Sequence, residues 1–170
     1  MNSTILGNLF SVLATGTDLV GASSKTARGM LWAQSASQGF LGMSSLVLGG
    51  YSAVVQNVVS LVRNFAALSN KSSKIFEYIL IALGVILGIW FNNLRLIGWL
   101  PILANLEYSV AVFRFKNNER MLKIAFAVCI VMYSVFNFAI KNYVGTLSNA
   151  AVLAATLYSV YKGKKRAGNA

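Results

Sequence analysis

The sequence has no histidine, a single cysteine (Cys129), a single proline (Pro101) and four acidic residues in a chain of 170. Lone Cys129 can form no intrachain disulfide and no thiol redox pair, and a chain without histidine lacks most transition-metal sites. Four carboxylates, none paired in sequence, leave little material for acid–base catalysis, so no catalytic residue is nominated and the chain is not read as an enzyme. No cofactor or metal is expected.

What is present is apolar. Hydrophobic residues make up 56% and charged residues 11% of the chain, far from the balance of a soluble domain. The N-terminal stretch lacks the basic region and small-residue cleavage site of a signal peptide, so residues from Met1 onward are read as mature. Apolar runs separated by turn or charged residues predict seven membrane-spanning helices, at about 4–21, 29–48, 52–69, 75–92, 96–114, 122–140 and 143–161. One helix from Gly29 to Ser69 would be roughly 60 Å long, twice a bilayer core, so Gly49-Gly50 is read as a hairpin turn. Lys141-Asn142-Tyr143 is read as a second one.

The net charge of +11 has a topological explanation. With seven spans, only Arg95 and Lys141 of the 15 Lys and Arg residues fall on one face. By the positive-inside rule this predicts an outside N-terminus and a cytoplasmic C-terminus. The basic tail from Lys162 is assigned to topology and anionic lipid, and nucleic acid is not expected as a partner.

A shift of 92 positions superposes Arg28 on Arg120, Ala33 on Ala125, Tyr51 on Tyr143, Asn57 on Asn149 and Leu61 on Leu153. It also carries spans one to three onto spans five to seven without changing their direction. The expected fold is therefore all-α: two parallel triple-helix bundles (residues 1–70 and 96–161), a linker helix (71–95) and a tail (162–170).

Polar residues inside spans are costly and mark candidate sites. Asn57 and Asn149 occupy repeat-related positions, and Gln56 precedes the first of them. Gln34, Gln38 and Ser37 in the second span and Asn137 in the sixth add polarity. These side chains either hydrogen-bond between helices or face a cavity that binds a neutral hydroxyl- or amide-bearing solute. Arg63 and Glu107 each lie about ten residues inside a span, so they form an inter-helix salt bridge or place a charge in the cavity. Glu77, at a helix start, and Glu119, in a charged loop, are read as structural. Gly39 and Gly42 are read as close-packing positions, and Trp90 and Trp99 as an interfacial belt.

Gln34, Leu48-Gly49-Gly50-Tyr51, Asn57, Arg63-Asn64, Leu100-Pro101, Tyr133 and Asn137 together resemble the YgjV-type family of bacterial inner-membrane proteins. More distantly, the arrangement is similar to the SWEET, SemiSWEET and PQ-loop carriers. That likeness implies a small-solute facilitator with third-helix asparagines, here Asn57 and Asn149, in its cavity. The proline–glutamine pair of PQ-loop proteins is absent, and Pro101 is the one hinge of the proline type. The expected function is passive or ion-coupled movement of a small polar solute between the bundles. The competing reading is a non-transporting membrane partner or assembly protein. Expected partners are lipid and an unidentified solute; a homo-oligomer is left open.

Overall fold

The computed structural model describes the backbone of residues 3–69 and 73–167, and side chains as far as Lys162. Within these residues the chain is all-helical, with seven α-helices and no strand: α1 (Ser3–Ser23), α2 (Ala27–Val47), α3 (Tyr51–Ser69), α4 (Lys74–Trp90), α5 (Trp99–Phe115), α6 (Glu119–Ala139) and α7 (Tyr143–Ala167). The expected boundary between residues 70 and 71, the loop cation Lys71 and residues 168–170 lie outside the described residues.

Local chemistry sets the helix limits. The hydroxyl of Thr26 accepts from the Gly29 amide at 3.1 Å and starts α2, and the Asn118 side chain accepts from the Met121 amide at 3.2 Å and starts α6. Each satisfies one of the orphan donors at a helix N-terminus. Helix α2 ends with Gly49 at φ 77°, the Gly50 amide reaching back to the Ser45 carbonyl at 2.8 Å. Helix α6 ends with Lys141 at φ 62°, the Asn142 amide reaching back to the Asn137 carbonyl at 2.8 Å. Both are Schellman turns, which reverse the chain and satisfy the last carbonyls. An offset of 92 converts the first cap, helix and turn into the second.

Two boundaries differ from the sequence expectation. The fifth helix begins at Trp99 rather than near residue 96. The Asn92 side chain accepts from the Leu94 amide at 3.1 Å and donates to the Arg95 carbonyl at 2.9 Å, so this segment turns instead of starting the helix. Helix α7 continues through the basic tail to Ala167, because nothing between residues 161 and 167 breaks it.

Six helices close a ring in the order α1, α2, α3, α5, α6, α7, with α7 returning to α1; α4 lies outside it, on α3 and α5. Close approach of α4 to α3 depends on small residues. A Cβ on Gly84 would stand 3.1 Å from Val59 Cγ1, and one on Gly88 would stand 2.8 Å from Ile102 Cγ1. Gly39, expected to be a packing position, instead faces open space, and Gly42 meets only the Cβ of Asn57. The apolar core lies between α1, α2, α5 and α6 and includes Ala22, Met30, Leu31, Ala104, Val112, Leu122 and Phe126.

Among the described residues, three segments are long and apolar enough to cross a membrane by length and composition: Ser3–Ser23, Glu119–Ala139 and Tyr143–Lys162. Helices α4 and α5 are 17 residues each, about 26 Å at the α-helical rise and just short of a bilayer core. Helices α2 and α3 are long enough but carry the polar side chains that build the candidate site.

Candidate functional site

Helix α3 presents Gln56, Asn57, Ser60, Arg63 and Asn64 to the interior, all buried. Their spacing places them on one helical stripe, which faces α5 and α4 on one side and α2 on the other.

Arg63 is 1% exposed, and its guanidinium is engaged through Nε and Nη1. Its Nη1 donates to Asn105 Oδ1 at 2.7 Å and to Ser109 Oγ at 3.2 Å, its Nε donates to Asn64 Oδ1 at 3.0 Å, and it lies 4.7 Å from the Tyr108 ring centroid. Ser60 Oγ also donates to Asn105 Oδ1, at 2.7 Å. Asn105 Nδ2 in turn donates to Gln56 Oε1 at 2.7 Å, and Gln56 Nε2 donates to the Gly84 carbonyl of α4 at 2.8 Å. The chain of bonds therefore ties α3, α5 and α4 together. The hydrogen bonds and the aromatic face offset part of the cost of burying this cation.

The expected Arg63–Glu107 salt bridge is absent. Glu107 is within electrostatic reach of Arg63, but Arg63 spends its donors on Asn64, Asn105 and Ser109, and Glu107 Oε2 is buried without a hydrogen-bond partner. The reason is geometric: Asn105 and Ser109 lie one turn apart on the α5 face that meets α3, whereas Glu107 sits between them, about 200° around the helix from Asn105.

Gln34 of α2 is 1% exposed, and its Oε1 accepts from the Tyr108 hydroxyl at 2.8 Å. Its Nε2 has no partner. Asn57 is 2% exposed, with both amide atoms buried and unpartnered. Asn149 is only partly buried, and its Nδ2 is likewise without a partner. Helices α3 and α7, which carry the two asparagines, have no extended packing against each other. Gln38 is partly buried; Asn137 is buried and supplies the carbonyl that closes the α6 turn; Pro101 is buried in the first turn of α5, where it interrupts no helical bond.

Several polar residues enter the interior without having been singled out in the sequence. Asn142 Nδ2 donates to Ser11 Oγ at 2.9 Å, Ser11 Oγ lies 2.9 Å from Ser44 Oγ, and the Val144 amide donates to Asn8 Oδ1 at 3.2 Å. These bonds join α1, α2 and α7. At the opposite end Lys123, 1% exposed, donates to the Ser24 carbonyl at 2.9 Å and to Ser159 Oγ at 2.6 Å, and pairs with Glu119. Asp18, 7% exposed, is the one charged residue of α1. The penalty for a charge inside a span, applied to Glu107, points equally to Asp18. No comparable signal marks Asn142, which reads as a loop residue until its turn is folded inward.

Among the clefts at the end of the bundle where α1 and α5 finish, two are related by the repeat. One, of about 250 Å³, is lined by Ala27, Arg28, Leu31, Ala67, Leu68, Lys116 and Asn117. The other, about 560 Å³, lies between the α1–α2 loop, Glu119 and α7. The offset of 92 relates Ala27 to Glu119, Ala67 to Ser159 and Lys25 to Asn117, so the clefts occupy equivalent places. Neither touches Asn57 or Asn149.

No curated protein and no solved structure matches this chain significantly. A sequence model described as a bacterial inner membrane protein family, Imp-YgjV, matches residues 5–167. That match spans the chain from the first turn of α1 to the last residue of α7, so the protein belongs to the Imp-YgjV family of bacterial inner membrane proteins.

Proposed function

We propose that the chain crosses the inner membrane seven times, as two parallel triple-helix bundles, α1–α3 and α5–α7, joined by α4. In this frame it moves a small polar solute, such as a sugar, vitamin or nucleoside, between the bundles by alternating exposure. The N-terminus is then outside and the C-terminus cytoplasmic, the orientation that the positive-inside rule favours. The ring supports this frame, since exchanging α1–α3 for α5–α7 maps its order of neighbours onto itself. The two matching caps and turns support it as well.

One observation carries the transport reading. Asn57 keeps both a donor and an acceptor buried and unmatched, and its repeat mate Asn149 keeps a donor unmatched. An unsatisfied buried amide costs about 1–3 kcal/mol, which a polar solute or bound water would relieve.

A non-transporting partner or assembly role is the second reading. It is favoured by the Arg63–Asn105–Gln56 chain, which satisfies its polar groups within the protein and leaves them no ligand to bind. Thermal unfolding of the protein in lipid nanodiscs, with sugars, nucleosides, vitamins and amino acids added in turn, separates the two. The transport reading expects a dose-dependent stabilisation by one class, abolished in a folded Asn57→Ala, Asn149→Ala variant. Stabilisation by none of the classes, with the variant unfolding as the parent does, favours the partner role.

A further inference from the structure

Asp18 presents an electrostatic problem that the chain leaves open. It lies five residues before the end of α1, about 7.5 Å along the helix axis, too deep for so short a side chain to reach the interface. It is 7% exposed, and its Oδ1 is buried with no hydrogen-bond partner.

Among the described residues no cation pairs with it. Helix α2, packed against α1, has Arg28 as its one charged residue, exposed in the first turn. Helix α7, on the other side, has no acidic residue, and its cations begin at Lys162. The two buried cations of the interior are committed elsewhere: Arg63 to Asn64, Asn105 and Ser109, and Lys123 to Glu119, Ser24 and Ser159. The titratable groups within electrostatic reach of Asp18 are Tyr108 of α5 and Cys129 of α6, neither a cation.

What does surround Asp18 is a set of unfilled polar groups. Ser37 of α2 is fully buried, and its hydroxyl stands within reach of the Asp18 carboxyl group without a well-formed hydrogen bond to it or to any other group. Gln34, one turn earlier on α2, packs beside Gly21, its Oε1 held by the Tyr108 hydroxyl and its Nε2 unmatched. A bare carboxylate in such surroundings is penalised by several kcal/mol unless a positive charge joins it. Buried acids within spans serve ion and proton pathways for this reason.

We infer that Asp18, with Ser37 beside it, is a binding site for one monovalent cation, H⁺ or Na⁺. The carboxylate takes up a single charge from water and no covalent bond is broken. For Na⁺ the ligands on offer are hard oxygens, Asp18 Oδ1 and Ser37 Oγ, a donor type suited to a hard cation. The inference rests on the surroundings of Asp18 alone and holds whether or not a solute passes between the bundles.

The test is thermal unfolding of the full-length protein in nanodiscs at constant ionic strength. Protons are titrated from about pH 9 to about pH 6, above the range where free carboxylates titrate, and Na⁺ is titrated at the alkaline end against a bulky organic cation. The cation that binds raises the unfolding temperature by about 3 °C for each tenfold increase in its concentration. A proton response alone assigns H⁺, and a Na⁺ response at the alkaline end assigns Na⁺. Asp18→Asn abolishes the response, whereas Glu107→Gln retains it. No response to either cation, or a response that survives Asp18→Asn, overturns the inference. Should Asp18→Asn not fold, infrared difference spectra of the Glu107→Gln protein replace it. A protonated-carboxyl band that appears on acidification or vanishes on Na⁺ addition supports the site, and its absence throughout overturns it.

Discussion

The offset of 92 residues carries the α3–α5 seam onto the α7–α1 seam, yet the two are joined by different chemistry. Between α3 and α5 lies a continuous set of short bonds around Arg63, and α4 covers the junction with Gly84 and Gly88 against Gln56 and Val59. Between α1 and α7 there is no covering helix. The bonds that cross this seam come from the start of α7, where Asn142 donates to Ser11 and the Val144 amide to Asn8, while at the far end Lys123 of α6 bridges Ser24 and Ser159. A seam locked along its length by a charged residue resists separation. The α1–α7 seam has no such lock and is held by more extensive packing of the two helices together with a few neutral bonds.

The strongest way to break this contrast is to remove the lock. Arg63→Met leaves Ser109 and Asn64 without that donor and Asn105 with the Ser60 hydroxyl in its place, and the expected loss is about 3 kcal/mol of unfolding free energy, measured by denaturant titration in detergent. A loss below that of a seam substitution at α1–α7 would reverse the ranking of the two. Gly88→Ala drives a methyl group into Ile102 and Gln56 and should cost about 1–3 kcal/mol, while the same change at open Gly39 should be neutral or mildly stabilising. Equal effects at the two glycines would mean that α4 is not tightly seated.

On the α1–α7 seam, Asn142→Ala loses the bonds to Ser11 and the contact that accepts the Gly145 amide at 2.9 Å, a helix-start cap for α7. The expected cost is about 1–2 kcal/mol, and amide hydrogen exchange should quicken in the first turns of α7 before anywhere else. The smallest effect belongs to Asn57→Ala. Its amide makes no bond to lose, so stability should change by less than about 1 kcal/mol while any solute response disappears. A large loss of stability there would show that Asn57 serves packing.

Much of the helical frame was legible because it depends on local signals. Gly49-Gly50 supplies a left-handed residue at the turn, and Thr26 and Asn118 are good caps where the apolar runs begin. The start of α5 was misplaced because Asn92 folds its side chain onto the neighbouring backbone, a competition that hydropathy does not register. In the candidate site, Gln34, Gln56, Asn57 and Arg63 stood out as polar residues in apolar runs. Asn105 did not, although it receives Arg63, Ser60 and offers its own amide to Gln56. Its importance comes from three side chains on another helix converging on it.

By itself the sequence determined the helical class, the positions of the hairpins, the membrane character and the membership of the family, because apolar composition, helix caps and turn residues act over a few neighbours. Only the tertiary structure decided the pairings. Arg63 is satisfied by Asn105, Ser109 and Asn64 instead of Glu107, and the α4 glycines rather than Gly39 make the close contact. Asp18 is left without a cation for the same reason. Which side chains meet depends on how each helix is rotated about its axis and which neighbour it faces, and those are settled by packing across distances that no short stretch of sequence encodes.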